Sequence, residues 1–254
     1  MVIAITREVS SRFNECEITH INRTPIDLNI ARAQHQEYVY TLAKIGCQVI
    51  ELPEQPDLPD SVFVEDTACI LPEVAVITRP GADSRKPETE TIIQALSSHR
   101  PLVHVTAPAT IDGGDVLVLG KNIYVGLSTR STPEAISQLL GLLDNYGYKA
   151  IGVELKNCLH LKTAITRVDE NTLLINKNWV DAAYFTNYEL LEVDPSEPFA
   201  ANCLPVIDSV IYPAAAFPRT QEKLTQKGFN VVNVNLDELA KAEGAVTCCS
   251  LIIE

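Results

Sequence analysis

The sequence predicts a mixed α/β fold of five strand–helix modules arranged around a common axis. Three observations predict it. A syntax of capped helix, glycine and apolar strand recurs along the 254 residues. A polar or reactive residue leads into the next hairpin, at Asp66, Asp112, His160, Asn202 and Cys249, at intervals of 46, 48, 42 and 47 residues. The last unit lacks its second hairpin strand, and the first strand of the chain can supply it. A repeat closed in this way forms a ring with few open sheet edges. Residues 1–254 are therefore expected to be a single domain, long enough to bury a sizeable core.

Taken in order, Met1 to Thr6 reads as an apolar strand. Residues 10–27 show no periodicity, and a loop of that length in a compact domain is commonly a lid. Asp27 is placed to cap a helix whose stripe is Leu28, Ala31, His35, Tyr38, Leu42 and Ile45. His35 on that stripe is expected to be a hydrogen-bonded core histidine. Gly46 ends the helix, a strand follows to Leu52, and a proline-rich link runs to Pro59. The syntax returns in weaker form from Pro87. It is clearer from Ser131, where Ser131 and Glu134 fit a capping box and Pro133 suits the first turn. It returns again from Thr220, with Gly228 as the stop. Val74–Arg79 and Asn122–Arg130 read as second strands of hairpins.

Composition narrows the function. The chain is 46% hydrophobic and 21% charged, as soluble globular proteins are, and no apolar run reaches membrane-spanning length. The first residues meet a charged pair too soon for a signal peptide. Seven scattered cysteines, an odd number, fit a reducing cytoplasm better than a disulfide framework. Neither a metal-ligand spacing nor a glycine-rich phosphate loop is present. The net charge of −13 argues against nucleic acid and for a cationic small ligand. No cofactor, metal or membrane partner is expected; a small-molecule substrate is, and homodimerisation stays open.

In a closed ring the residues that lead the hairpins converge, so Asp66, Asp112, His160 and a cysteine can share one pocket. Cysteine, histidine and carboxylate are the parts of a thiol nucleophile with its acid–base partner. The histidine protonates a leaving amine and then deprotonates water. One carboxylate orients the imidazole, and a second suits a cationic substrate. Cys248 and Cys249 sit where a loop becomes a strand, and strand alternation sends them to opposite faces. Each residue also has a structural reading. His160 could bond backbone, Asp112 could make an Asp-Gly turn, Asp66 and Glu65 could be a solvated pair, and both cysteines could be core. Their shared place in the repeat is what favours chemistry.

Six motifs carry a resemblance: Ser61-Val-Phe-Val-Glu-Asp66, Ile77-Thr-Arg-Pro-Gly-Ala-Asp-Ser-Arg85, Ile111-Asp-Gly-Gly-Asp-Val-Leu117, Leu159-His-Leu-Lys162, Ala200-Ala-Asn-Cys203 and Val246-Thr-Cys-Cys-Ser250. In this order they resemble dimethylarginine dimethylaminohydrolase, a guanidine-modifying (pentein) family with a five-bladed α/β-propeller of pseudo-fivefold ββαβ-type repeats. The resemblance implies hydrolysis of Nω-methylated arginine to citrulline and a methylamine, without a cofactor. It implies Cys249 as nucleophile, His160 as acid–base and Asp112 as the carboxylate that orients it. It further implies that Asp66, with Glu65 beside it, holds the guanidinium. Arg85 and Arg130 would grip the substrate α-carboxylate, and Asp60 its α-amino group. Ile18 falls within the family's mobile lid. Arginine deiminases carry an aspartate two residues after the histidine, where this chain has Lys162. His160 and Lys162 are expected on one strand and hence on one face. Lys162 would then flank the leaving group and offer no acceptor, which favours the methylarginine reading. The alternatives are an arginine deiminase or other amidine hydrolase, and a non-catalytic scaffold or arginine sensor.

Overall fold

A computed structural model describes residues 1–254, and its strands form five separate three-stranded sheets. Strand β1 (Ile3–Arg7), helix α1 (Leu28–Lys44) and β2 (Gln48–Leu52) open the chain. The second unit is β3 (Ala68–Ile70), β4 (Ala75–Ile77), α2 (Thr89–Leu96) and β5 (Leu102–His104). The third is β6 (Val116–Leu119), β7 (Asn122–Leu127), α3 (Pro133–Leu143) and β8 (Lys149–Glu154). Helix α4 (Leu161–Ala164) leads the fourth, β9 (Ile165–Arg167), β10 (Thr172–Ile175) and β11 (Glu189–Glu192). The fifth is β12 (Leu204–Val206), β13 (Ser209–Tyr212), α5 (Pro218–Gln226) and β14 (Val231–Asn233). Helix α6 (Asp237–Ala240) and β15 (Leu251–Ile253) end the chain.

Each sheet repeats one plan. The middle strand pairs antiparallel with its hairpin partner and parallel with a strand returned by a crossover, as β4 does with β3 and β5. The ring closes as the repeat requires. Strand β15 pairs antiparallel with β1, Ile3 opposite Ile253, and β1 pairs parallel with β2. The fourth crossover differs: only a single 3-10 turn at Ala182–Phe185 stands where the other units have an α-helix.

Five apolar clusters hold the sheets together, and each lies between two neighbours. Ile5 and Leu251 of the first sheet pack with Ala75 and Ile77 of the second. Val76 packs with Val116 and Val125 of the third. Leu117 and Tyr124 meet Ile165 and Leu173 of the fourth, and Leu174 meets Val210 and Tyr212 of the fifth. Leu204 and Ile211 then return to Ala4 and the stripe of α1. Removing this apolar surface from water is the main favourable term in folding. It also leaves the polar residues that lead each hairpin in the middle of the ring.

Helix α1 begins as expected, with the Asp27 carboxylate accepting the N–H groups of Asn29 and Ile30 at 2.9 and 3.1 Å. Gly46 follows it with φ of +108°, a backbone state that favours glycine. Two local expectations fail. Buried His35 makes no hydrogen bond; its Nδ1 stands 4.0 Å from Glu51. The capping box at Ser131 does not form, because Thr132 is the N-cap and the Ser131 hydroxyl donates to Asp115 instead. All seven cysteines are free, and no helix is long and apolar enough to cross a membrane.

Candidate active site

The polar side-chain atoms of Asp66, Asp112 and His160 lie within 4.8 Å of one another, all buried. The segments that bring them together are short and tightly constrained. Asp115 accepts the Leu161 N–H at 2.9 Å and is itself held by the hydroxyls of Ser128 and Ser131. This pins the start of α4, and His160 projects from its N-cap position. His160 therefore does not sit on a strand, as the sequence suggested, and Lys162 does not share its face.

Gly114 makes the close approach possible. Its N–H donates to Asp66 Oδ1 at 2.9 Å. A side chain there would put a Cβ 2.6 Å from His160 Nδ1 and 2.9 Å from Asp66 Oδ1. Across the ring, His160 Nε2 stands 3.1 Å from Asp112 Oδ2, while Asp112 Oδ1 accepts the Gly81 N–H at 2.8 Å. Burial by itself would lower the imidazole, but the carboxylates of Asp66, Asp115 and Asp112 outweigh it and push His160 up to about 9. His160 is thus a cation at neutral pH, with a proton to give. Burial also raises Asp115, to about 6.

Asp66 is held as a carboxylate. Burial opposes this, but Arg85 and His160 keep it well below the usual carboxylate range. Arg85 Nη1 lies 2.6 Å from Asp66 Oδ2, and its Nε and Nη2 bind Glu88 at 3.1 and 2.9 Å. Nη2 also donates to the Phe63 carbonyl at 3.1 Å. Of the guanidinium's five N–H groups, one on Nη1 remains uncommitted. Arg85 is therefore chiefly the counter-ion that fixes Asp66, a role the motif match did not imply.

Cys248, not Cys249, faces this centre. Cys248 lines one cavity with Asp66, His160, Arg130, Asp60 and Arg85. Cys249 is fully buried in the apolar cluster of α1, its thiol directed at the Ala245 carbonyl at 3.6 Å. The expectation of Cys249 came from the motif match together with strand alternation, but both cysteines lie in a turn that precedes β15. Tyr38 anchors that turn, its hydroxyl 2.9 Å from the Val246 carbonyl and 2.7 Å from Ser250 Oγ. Burial, then Glu65 and Asp66, raise the Cys248 thiol well above its ordinary value. Cys248 is thus a thiol in the cavity that the His160 imidazolium also lines.

Glu65 is turned away from the cavity. Its Oε1 pairs with Lys162 and its Oε2 accepts the Thr247 hydroxyl at 2.7 Å. Both charged residues line a separate, larger cavity of about 410 Å³. Asn202 bridges its neighbours: its amide donates to Thr247 Oγ1 and accepts the Thr247 N–H, at 3.0 and 3.1 Å. The fourth hairpin-leading residue thus shapes the cysteine turn.

The mouth of the site is built from opposite charges. Asp60 and Arg130 both line the cavity and both reach the segment around Ile18. Asp60 accepts the Glu17 N–H at 3.1 Å, and Arg130 Nη2 donates to Thr19 Oγ1 at 3.0 Å. Ile18 is half-buried against the α1 cluster and does not line the cavity. Asp115, Gly114 and Glu88 belong to the site and were not read from the sequence. The repeated acidic position in Asp112-Gly-Gly-Asp115 was the one available signal, for Asp115.

The arginine deiminase family model matches residues 53–202, more than half of the chain. The N(G),N(G)-dimethylarginine dimethylaminohydrolase of Pseudomonas aeruginosa is 36% identical over 223 residues, 87% of each chain. That of Streptomyces coelicolor is 35% identical over 250 residues, 98% of this chain and 95% of its own. A solved structure of the Pseudomonas aeruginosa enzyme, a cysteine-to-serine variant complexed with citrulline, superposes with a TM-score of 0.93 at 33% identity, covering 98% of both chains. The N-terminal domain of ArgZ, a cyanobacterial arginine dihydrolase, matches with a TM-score of 0.85 at 18% identity, over 100% of this chain and 97% of its own, and shares the fold.

Proposed function

The chain belongs to the dimethylarginine dimethylaminohydrolase family, and we propose that it hydrolyses Nω-methylated arginine to citrulline and a methylamine through a covalent intermediate on Cys248. Residues 1–254 act as one catalytic unit. The observation that carries the reading is the shared cavity of Cys248, His160 and Asp66, with Asp112 behind the imidazole.

Each step follows from the groups in place. Arg85 and Gly114 use one acceptor site on each oxygen of Asp66, which leaves others for the unmethylated guanidinium N–H groups. That hold sets the central carbon over Cys248. The incoming cation favours the thiolate, whose proton leaves to solvent. The sulfur adds to the guanidinium carbon. His160 gives its proton to the methylated nitrogen, the carbon–nitrogen bond breaks, and the amine departs. A thiouronium remains on Cys248. Neutral His160 then takes a proton from water and the hydroxide adds. The carbon–sulfur bond breaks as the added hydroxyl gives up its remaining proton to the departing sulfur, and citrulline and the Cys248 thiol are released. Arg130 and Asp60 match in sign the α-carboxylate and α-amino group at the mouth.

Selectivity for methylated arginine comes from a shortage of acceptors. Asp112 is engaged by His160, and Glu65 by Lys162 and Thr247, so of these three carboxylates Asp66 keeps acceptor sites for guanidinium N–H groups. Lys162 contributes by occupying Glu65, not by flanking the leaving group as its sequence spacing suggested. Unmodified arginine would leave N–H groups unpaired, at about 1–3 kcal/mol each. Dimethylarginine should therefore exceed arginine in kcat/KM by at least about tenfold, which corresponds to about 1.4 kcal/mol. Competition between the two at equal concentration measures this. Equal or faster citrulline release from arginine would place the chain with the arginine deiminases. The seven free thiols support a reducing cytoplasm as its compartment. The enzyme works there without cofactor, nucleic acid or membrane, as a monomer or homodimer.

A further inference from the structure

We propose that Glu243 is the latch that holds the segment at residues 17–21 closed over the cavity, and so sets how often the site opens. The inference rests on the proposed function only in taking this cavity as the substrate site. The cavity is about 20 Å³, room for about one water, so an amino acid the size of arginine cannot occupy it as it stands. The covering segment must move for every binding event.

One carboxylate holds three consecutive residues of the segment. Glu243 Oε2 accepts the Thr19 N–H at 2.7 Å, and Oε1 accepts those of His20 and Ile21 at 2.6 and 3.1 Å. None of these three residues lies in a helix or strand, and Thr19 and His20 are exposed. Water can therefore replace the carboxylate when the segment lifts, at little cost to the fold. The remaining ties are spread over three partners: Glu17 to Asp60 and Ser84, and Thr19 to Arg130. Asp60 and Arg130 are the groups proposed to receive the substrate's α-amino group and α-carboxylate. Substrate would take over those ties, and Glu243 would not be displaced by it.

The backbone supports a dedicated role. Glu243 has φ of +61°, a conformation unusual for a residue with a side chain, although Gly244 follows it and would adopt it freely. The strained position aims the carboxylate at the segment, five residues before Cys248. Glu243 is a positioning residue: it lines the cavity wall and acts through the segment it holds.

The test reads opening directly. Iodoacetamide alkylation of Cys248 in ligand-free protein requires the segment to lift, and so does tryptic cleavage after Arg23. Glu243→Gly removes the latch and relieves the positive φ, so it should fold at least as well. Glu243→Gln keeps the shape and loses the charge. Loss of two or three charge-assisted bonds should speed alkylation by at least about tenfold in Glu243→Gly and by less in Glu243→Gln, with faster cleavage at Arg23 and no fall in Tm. Alkylation and cleavage rates within about twofold of wild type in both variants would overturn the latch. Citrulline release from dimethylarginine is followed in parallel on the wild-type protein. If that fails while the variants open faster, the functional reading falls and the latch stands.

Discussion

Cys248 and Cys249 are adjacent in sequence and lie on opposite sides of the turn before the last strand: Cys248 lines the cavity with Asp66 and His160, and Cys249 is sealed in the core with Tyr38 and Leu42. The turn, anchored by Tyr38, decides which thiol faces the cavity. Four consequences can be measured.

The first concerns pH. His160 titrates near 6.5 in an unfolded chain and at about 9 in the folded one. Its folded value is raised, so its contribution to stability is fully present below about pH 6.5 and is lost as pH rises through about 9. The full contribution is on the order of 3 kcal/mol. Urea unfolding at pH 6.5 and 9.5 should show a larger loss for wild type than for His160→Gln. Parallel losses would mean that the imidazole is neutral in the fold.

The two arginines should separate. Arg85 is buried with Asp66 and Glu88, so Arg85→Ala leaves buried carboxylates unpaired and should cost about 3–5 kcal/mol of stability, together with activity. Arg130 stands at the mouth, its guanidinium 3.6 Å from Asp112 and bonded to Thr19. Arg130→Ala should act mainly on KM, by about 1.5–3 kcal/mol of lost charged hydrogen bonding. Denaturation curves and steady-state kinetics on both variants decide. Equal stability of the two would show that Arg85 is not the structural counter-ion.

Gly114→Ala should damage catalysis more than folding. The added carbon meets the His160 ring and the Asp66 carboxylate, and an imidazole displaced by about 1 Å can cost about a hundredfold in rate. kcat and urea unfolding, measured together, test the split. A fully active Gly114→Ala protein would mean that His160 has freedom the packing does not show.

Much of the ring was legible because its signals are local. Asp27 and Gly46 mark the ends of α1, and the unpaired last strand pointed to β1. The site was legible as residue types, through the common spacing of Asp66, Asp112 and His160. Four things were hidden, each for a physical reason. The cysteine register depended on a turn whose geometry comes from Tyr38, more than two hundred residues away in the chain. Ser131 matched a capping box, but a buried carboxylate at Asp115 competes for its hydroxyl. Glu88 and Glu243 act on an arginine side chain and on backbone N–H groups, partners that leave no motif. His35 matched the helical stripe, yet its hydrogen bonding could not be read from periodicity.

The most direct test of the central claim is citrulline release from dimethylarginine by Cys248→Ser and Cys249→Ser, each checked for folding by circular dichroism. Cys248→Ser should fold and release none, because a serine hydroxyl is a far weaker nucleophile in this site. Cys249→Ser should keep most of its turnover and lose about 1–3 kcal/mol of stability, since it places a hydroxyl in an apolar cluster. An active Cys248→Ser, or a folded Cys249→Ser without turnover, would contradict the assignment of the nucleophile and with it the mechanism.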